Sequence, residues 1–512
     1  MRNLTTLTFV ILSLYACAQA GSLDTDFNGD GIATTFVGSV GGNGRAMAIQ
    51  PDGKILLAGD ATQGIDADYA LVRYLPDGSL DPAFGTGGQV LVGGSGDDIA
   101  RAILLQPDGK IILGGRGGPS NDQFYMVRFT DTGTLDATFG TNGEVTGFMG
   151  SGGNEGYAMA LQADGKFLLA GSASNGNDLD FALLRYNPDG SQDFDFGIDG
   201  GVLTPIGVNA GDVCFTMVVQ PDGKILLGGA SGSGFNSSGF AMSRFLSNGD
   251  LDDTFGTNGV VVSPISTGSN RGFSLALQPD GRILMCGEAR GEGPAGFAVA
   301  RYLPDGTLDA SFGTDGIVNT VIGVQSTARS VIVQPDGKIL LAGETYPIST
   351  DEASDLGLVR YLSDGALDPG FDGDGIVTTP VGNGAIGRAV LLQPDDRIVV
   401  AGASALGFTL ARYLNELTVG SMEPDAMDVF AKVYPSPVGD QVTLTYEVKN
   451  STALNCGIYN AQGRLVRTLF SERRPVLGSH RETFDVSDLS AGDYVVVLSQ
   501  ATGSTAISIL KL

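Results

Sequence analysis

One short segment, Gln-Pro-Asp-Gly-Lys at residues 50–54, recurs along the chain and constrains the fold more than any other feature. Its copies, some with one or two substitutions, begin at Gln50, Gln106, Gln162, Gln220, Gln278, Gln334 and Gln393, with spacings of 56, 56, 58, 58, 56 and 59 residues. Pro presets the first corner of a tight turn and Gly adopts a left-handed conformation, so each copy predicts a β-hairpin.

Each repeat carries four short apolar segments, which in the first copy are 32–36, 45–50, 54–58 and 69–75. The last of them is apolar on both faces, as in a strand covered on both sides. Four strands in such a period match one propeller blade, whereas a β-helix coil is much shorter and helical repeats show a 3.6-residue pattern. We therefore predict an all-β, seven-bladed β-propeller of four-stranded blades over residues 21–414.

Closure of the ring makes a further prediction, because an open stack of blades would leave a bare sheet edge. We expect residues 32–36 to pair with the last blade beside residues 408–414. In that blade Asp396 stands where the other turns have Gly. A left-handed Asp costs about 1–2 kcal/mol, so this hairpin should keep its shape but be looser.

The connections of a four-stranded meander fall on two faces. The Pro-Asp-Gly turns share one face with the Leu-Asp-x-x-Phe connectors, and the loops of variable length share the other. Variable loops on a fixed scaffold are where binding usually occurs. The candidate ligand-binding residues there are Asp66, Asp68, Asp178, Phe235, Tyr346, Asp351 and Glu352.

An Arg and an Asp also recur in every repeat. The arginines of the last strand are Arg73, Arg128, Arg185, Arg244, Arg301, Arg360 and Arg412. The connector carboxylates are Asp24, Asp81, Asp136, Asp193, Asp252, Asp309 and Asp368. We predict a structural ion pair in each blade through the bidentate fork of Arg. The alternative is a ring of Arg around an anion-binding channel.

Metal and catalytic motifs are weak. Asp26, Asn28 and Asp30 resemble the start of a calcium loop, but position twelve of such a loop falls on Val37 rather than Glu, and Asx turns explain the pattern. We predict no cofactor. The one histidine, His480, lies outside the repeats, which excludes a Ser-His-Asp site in the propeller. Paired carboxylates leave open a carbohydrate-active enzyme, a glycosidase or lyase.

The charge and the N-terminus point outside the cell. With 57 acidic and 30 basic residues the net charge is −27, which makes nucleic acid a poor partner. Residues 1–20 fit a signal peptide cleaved after Ala20, with lipid attachment at Cys17 as the alternative. No other stretch is predicted to cross a membrane. Three scattered thiols, Cys214, Cys286 and Cys456, form no disulfide framework.

The repeats resemble the delta-60 repeat family through three segments that return in order: Gln-Pro-Asp-Gly-Lys, Arg-Tyr-Leu-Pro-Asp-Gly and Leu-Asp-x-x-Phe-Gly. The resemblance covers roughly residues 22–417. It implies a propeller of unknown activity.

Residues 415–432 are predicted to be a linker, and residues 433–512 alternate apolar and polar residues as in a small Ig-like β-sandwich. This module resembles the C-terminal sorting domain of type IX secretion substrates from the Bacteroidetes group. The matching positions include Tyr434, Pro435, Pro437, Gly463, Gly492, Tyr494 and Lys511, while Ser436 stands where the family usually has Asn.

The sorting-domain resemblance implies export from a Gram-negative bacterium to the cell surface or medium. The implied partners are the type IX secretion machinery and its sortase-like protease. The two modules together predict an exported binding or surface-interaction protein, with a glycan or another protein as its ligand.

Overall fold

The computed structural model describes residues 19–94, 96–118, 122–207, 210–232, 239–291, 293–349, 353–416, 431–434, 439–448, 454–460, 465–473, 476, 478–490, 492–500 and 503–511. Two compact units are present, one spanning Gln19–Leu417 and the other lying within Thr418–Leu512. Every regular element of the described residues is a β-strand, and none of these residues forms an apolar helix long enough to cross a membrane. Most of the predicted signal peptide and linker lies outside the described residues.

The first unit contains seven four-stranded antiparallel sheets, which confirm the predicted blades. In chain order its strands are β1 (Ile32–Thr35), β2 (Gly42–Ile49), β3 (Ile55–Gln63), β4 (Asp66–Tyr74), β5 (Gln89–Val92), β6 (Ile99–Leu105), β7 (Ile111–Gly117), β8 (Gln123–Phe129), β9 (Glu144–Gly147), β10 (Glu155–Leu161), β11 (Phe167–Ser174), β12 (Leu179–Tyr186), β13 (Gly201–Thr204), β14 (Asp212–Val219), β15 (Ile225–Ser231), β16 (Gly239–Phe245), β17 (Val260–Ser263), β18 (Asn270–Leu277), β19 (Ile283–Ala289), β20 (Gly296–Tyr302), β21 (Ile317–Thr320), β22 (Gln325–Val333), β23 (Ile339–Tyr346), β24 (Asp355–Tyr361), β25 (Ile376–Thr379), β26 (Ala385–Leu392), β27 (Ile398–Ser404) and β28 (Gly407–Tyr413).

Strands β2–β5 form blade one, and blades two to six follow in groups of four up to β22–β25. Blade seven has only three strands of its own, β26–β28, because the repeat stops after Tyr413. Strand β1 supplies the fourth by pairing antiparallel with β28, in a register that sets Ile32 opposite Ala411 and Thr35 opposite Phe408. The predicted closure of the ring by the N-terminal strand is confirmed.

The core of the propeller lies between blades. The first two blades, for example, share a cluster in which Leu56 and Ala58 of β3 pack with Ile111 and Leu113 of β7. Each second strand is buried on both faces by this arrangement, which explains its unbroken apolar run. The first strand of each blade lies against the first strands of both neighbouring blades, so these seven strands surround the central channel.

The exceptional turn of blade seven keeps the geometry of the others. Asp396 adopts a positive φ of 66°, where Gly53 of blade one has 83°. Its N–H donates to the carbonyl of Gln393 at 2.9 Å, as that of Gly53 does to Gln50 at 2.8 Å. The prediction that the hairpin keeps its shape is confirmed, and its looser character stays a prediction.

The second unit is a small sandwich of two antiparallel sheets. Its strands are β29 (Ala431–Tyr434), β30 (Gln441–Val448), β31 (Leu454–Asn460), β32 (Leu465–Arg473), β33 (Gly478–Asp485), β34 (Gly492–Gln500) and β35 (Gly503–Lys511). The sheet orders are β29-β30-β33 and β32-β31-β34-β35. Val442, Leu444, Tyr446 and Val448 are all buried in a core that both sheets share, as their alternation predicts.

Candidate functional site

The recurring Arg and Asp form an ion pair in every blade. The Nε–Oδ2 distances are 2.9 Å for Arg73–Asp81, 2.9 Å for Arg128–Asp136, 2.6 Å for Arg185–Asp193, 2.7 Å for Arg244–Asp252, 2.9 Å for Arg301–Asp309, 2.7 Å for Arg360–Asp368 and 2.9 Å for Arg412–Asp24. These arginines are therefore structural, and the alternative of an anion channel built from them is wrong.

The prediction of a bidentate fork is also wrong. Only Nε contacts the carboxylate, while Nη1 of Arg244 donates to the carbonyl of Pro304 in the next blade at 2.5 Å. The guanidinium also stacks 4.5 Å from the ring centroid of Phe255 in its connector. A Lys or Arg from the recurring turn adds a second cation, as Lys224 does to Asp252 at 3.1 Å. Each Arg thus holds its own connector and the neighbouring blade together.

Five carboxylates of this network, Asp136, Asp193, Asp252, Asp309 and Asp368, have lowered pKa values. The pKa of Asp309 is lowered to about 2, first by the hydrogen bond from the Ser311 hydroxyl and then by Arg282 and Arg301, against the effect of burial. These interactions recur on the turn-and-connector face, where they serve every blade alike. These contacts therefore stabilise the propeller rather than distinguish one blade from another.

The opposite face carries the variable loops between second and third strands, and also the loops that join one blade to the next. Asp98, which follows β5, donates its N–H to the carbonyl of Ala67 in β4 at 2.7 Å, so both loop sets meet at this end. Sequence reasoning assigned only the first set to this face. We call the whole end the variable-loop face.

The structure distributes the predicted ligand-binding residues over several blades. Asp66 and Asp68 lie in β4, Asp178 lies between β11 and β12, and Tyr346 ends β23. Asp66 accepts a hydrogen bond from the N–H of Gly96 at 3.1 Å. The pKa of Asp68 is raised by burial and by the charges of Asp98 and Asp66. The described residues do not come together as one site, and their role in binding stays a prediction.

The remaining predicted ligand residues, Phe235, Asp351 and Glu352, lie outside the described residues. The calcium candidates are used locally. Asn28 Nδ2 donates to the carbonyl of Ile32 at 2.7 Å, and Asp30 Oδ1 accepts from the N–H of Ile32 at 2.9 Å. In the part of the chain that the structure describes, no group of three or more His, Cys, Asp or Glu is arranged to hold a metal ion.

A second set of side chains meets at the channel. Each first strand contains a β-bulge that adds one residue without a partner on the second strand. Bulges commonly re-aim a side chain. The seven bulged residues, which we call the channel ring, are Arg45, Arg101, Tyr157, Phe215, Phe273, Arg329 and Arg388.

Members of the channel ring contact one another from blade to blade. The Arg101 guanidinium lies 4.7 Å from the Tyr157 ring centroid, and the centroid of Tyr157 lies 5.1 Å from that of Phe215. Phe215 is 5.2 Å from Phe273, and the Arg329 guanidinium is 4.7 Å from Phe273. The ring therefore has an aromatic arc on blades three to five and a basic arc on blades six, seven, one and two.

A cavity of about 480 Å³ opens at the variable-loop end of the channel, over the aromatic arc. Its lining residues come from blades two to five: Arg116, Asp122, Gly153, Glu155, Tyr157, Ser172, Leu179, Gly211, Val213, Phe215, Ala230, Gly232 and Arg271. Leu179 directly follows the predicted Asp178 in sequence. The cavity is thus on the predicted face but is built mainly by first and second strands.

The polar groups of this cavity are held in place. Glu155 pairs with Arg116 Nη1 at 3.0 Å and with Arg101 Nη2 at 3.5 Å, and it accepts a hydrogen bond from the Tyr157 hydroxyl. Asp122 Oδ2 accepts from the N–H of Gly153 at 2.9 Å. Glu155 is therefore a fixed anion between two cations, with its aromatic neighbour oriented by the same network.

Sequence reasoning missed this ring, although a signal for it exists. Every member lies five residues before the recurring Gln, and that position holds only Arg, Tyr or Phe. Bulky or charged residues at one position of an otherwise small and apolar strand indicate a side chain directed away from the core.

Only part of the sorting-domain motif lies in the described residues. Tyr434 ends β29, Gly492 begins β34, and Lys511 ends β35. The Tyr494 hydroxyl donates to the carbonyl of Ser490 at 3.0 Å. Pro435, Pro437 and Gly463 lie outside the described residues.

Family models match both units. Residues 50–84, 106–139, 162–196, 220–255, 278–312 and 334–371 match a model described as "Domain of unknown function (DUF5122) beta-propeller". Residues 432–511 match a "Secretion system C-terminal sorting domain". The chain is thus an exported β-propeller protein. It carries repeats of the DUF5122 propeller family and a type IX sorting domain, and is secreted or displayed on the surface of a Bacteroidetes-type Gram-negative bacterium.

Each of the six matched segments ends at the Phe of a connector. Blade seven has no such connector after its turn, because its fourth strand comes from the N-terminus. No curated protein matches the chain.

Solved structures resemble the chain at low identity. They include Sqt1 from Chaetomium thermophilum (13% identity, 77% of this chain and 99% of that chain, TM-score 0.42) and the polysaccharide lyase Uly1 (11%, 75% and 92%, 0.44). An aldose sugar dehydrogenase from Escherichia coli also matches (13%, 62% and 96%, 0.35). With TM-scores below 0.5, these likenesses carry no argument about function.

Proposed function

We propose that this chain is an exported binding protein whose propeller holds a glycan in the cavity over the aromatic arc. The observation that carries the proposal is the contact between Tyr157 and Phe215, two residues at β-bulges, beneath a cavity of about 480 Å³ on the variable-loop face. Small-molecule sites are typically concave, about 300–1,000 Å³ in volume, and lined by aromatic groups with a few fixed polar groups.

The chemistry of the lining suits a sugar. A pyranose has apolar C–H faces, which pack on aromatic rings, and hydroxyl edges, which need hydrogen-bond partners. Arg116 and Glu155 present charged groups beside the rings, already fixed by their mutual ion pair of 3.0 Å. Such preorganised groups lose little conformational freedom when a ligand binds.

A glycosidase would need two carboxylates facing each other across the substrate, one of them free to exchange a proton. The cavity has Asp122 and Glu155, and Glu155 is engaged by Arg101, Arg116 and Tyr157. We therefore propose binding rather than turnover as the function of this cavity.

The test is a glycan array probed with the full secreted chain, followed by calorimetry on the best ligand. Phe215→Leu removes the aromatic ring from the cavity, and we expect it to weaken binding by about tenfold or more. The reason is that aromatic stacking and burial of apolar surface each contribute about 1 kcal/mol or more to the free energy of binding. The comparison is Phe273→Leu, because Phe273 occupies the same bulge position and packs 5.2 Å from Phe215 but does not line the cavity, so we expect a smaller loss of affinity.

Equal losses in the two variants, or no glycan bound by the wild type, would contradict the proposal. Release of shortened oligosaccharides during the incubation would instead favour the enzyme.

A further inference from the structure

The basic arc of the channel ring follows a pairing rule in two blades. The bulged Arg45 pairs with Asp60, and the bulged Arg329 pairs with Glu344, with Arg329 Nη2 at 2.6 Å from Oε1. Both carboxylates lie on the second strand of the same blade, and both are 15 residues after their Arg. The blade thus supplies its own counter-charge.

The other two arginines of the arc break this rule. Fifteen residues after Arg101 stands Arg116, and both arginines share Glu155 of the next blade. Fifteen residues after Arg388 stands Ala403, which has no charge. The first strand of the next blade offers Asn43 at the position that corresponds to Glu155, and Asn43 already donates to Asp60 at 3.0 Å.

Arg388 is therefore left without a counter-ion. Its Nε is buried with no hydrogen-bond partner, and among the described residues it forms no ion pair. Burial and then the positive charges of Arg45 and Arg329 lower the pKa of Arg388 to about 10, and the more weakly acting carboxylates of Glu344 and Asp60, each already paired with its own Arg, do not offset them. A partly buried cation with a buried, unpartnered Nε and no ion pair of its own is costly, and a bound anion would relieve that cost.

We infer that Arg388, between Arg329 and Arg45, forms an oxyanion-binding site in the channel for a carboxylate, sulfate or phosphate group. The planar guanidinium suits such groups, because its N–H donors match two oxygens of one anion. The site is built by blades six, seven and one, whereas the cavity proposed for a glycan is built by blades two to five. Its success or failure is therefore separate from that of the glycan proposal.

The test uses the full secreted chain and three probes: sodium sulfate, sodium phosphate and sodium glucuronate, each against sodium chloride at equal ionic strength. Calorimetry and thermal unfolding report binding. We expect Arg388→Gln to weaken binding by about tenfold or more, as removal of a charged hydrogen bond does. The control is Arg290→Gln, because Arg290 is an exposed arginine with its own partner, Glu288.

A second variant keeps Arg388 in place. Ala403→Glu restores the carboxylate of the pairing rule, so we expect it to abolish anion binding and to raise the unfolding temperature in chloride. The anion that binds most tightly identifies the chemical group that the site recognises: the carboxylate of an acidic sugar, a sulfate group or a phosphate group. Absence of binding for all three anions, or equal binding by Arg388→Gln and the wild type, would overturn the inference.

Discussion

The connector carboxylate Asp252 gives the most direct test of how the blades are held together. Its Oδ2 lies 2.7 Å from Arg244 Nε and 3.1 Å from Lys224 Nζ. Its Oδ1 accepts hydrogen bonds from the N–H and hydroxyl of Thr254 at 3.2 and 2.6 Å. Burial alone would raise the pKa of Asp252, but these donors and the charge of Arg244 outweigh it and lower that pKa.

Asp252→Asn keeps the shape of the side chain and removes its charge. Arg244 then stays buried without a counter-ion, and breaking a buried pair in this way costs about 3–5 kcal/mol. Unfolding entropy of roughly 2.1 cal/mol/K per residue gives about 0.8 kcal/mol/K for a unit of this size, so the unfolding temperature should fall by about 4–6 °C.

Differential scanning calorimetry of the full chain measures this shift. The matched control is Asp250→Asn, because Asp250 is exposed in the adjacent turn and accepts only from Asn248 Nδ2 at 2.7 Å and from neighbouring backbone. We expect the control to change the unfolding temperature by less than about 1 °C. A shift for Asp252→Asn as small as that of the control would refute the view that these pairs hold neighbouring blades together.

Three further predictions concern the closing segment and the carboxylates. Phe27 is fully buried beside the closing strand, so Phe27→Ala should lower the free energy of unfolding in urea by about 3–5 kcal/mol; the exposed Phe36→Ala should not, and equal effects would contradict the closure. The lowered pKa of Asp309 stabilises the fold above about pH 4, and this contribution is lost as the pH falls through about 2. Thermal unfolding from pH 5 to 2 measures the loss, and Asp309→Asn should make the unfolding temperature depend less on pH over this range. Ala20 is buried, and its carbonyl accepts the N–H of Asp372, in the connector of blade six, at 2.8 Å. We therefore expect the mature chain to retain Ala20, as lipid attachment at Cys17 would allow. An intact mass that begins at Gly21 would contradict this.

The fold could be predicted from the sequence because its determinants are local and repeated. The Pro-Asp-Gly turns define hairpins by themselves, and their regular spacing defines the blade. Closure by residues 32–36 followed from the bare sheet edge that an open stack of blades would leave. A strand edge with no other partner in a ring has only one place to pair.

The candidate site could not be predicted in the same way. The direction of Tyr157 or Arg388 depends on a bulge, and a bulge depends on the register of two paired strands rather than on the residue itself. The bidentate fork failed for a related reason. Arg244 has acceptors in reach besides Asp252, namely the Thr254 hydroxyl and the carbonyl of Pro304. Only the packing of neighbouring blades brings the carbonyl close.

Charge compensation separates scaffold from site in this molecule. On the turn-and-connector face, every Arg has its Asp, and no blade differs from the rest in this respect. In the channel, the same kind of pairing holds for Arg45 and Arg329 but not for Arg388. A repeat protein duplicates its stabilising contacts in every unit, so a position where one unit departs from the rule is free to serve a ligand. The aromatic arc and the uncompensated Arg388 are two such departures, and both face the channel.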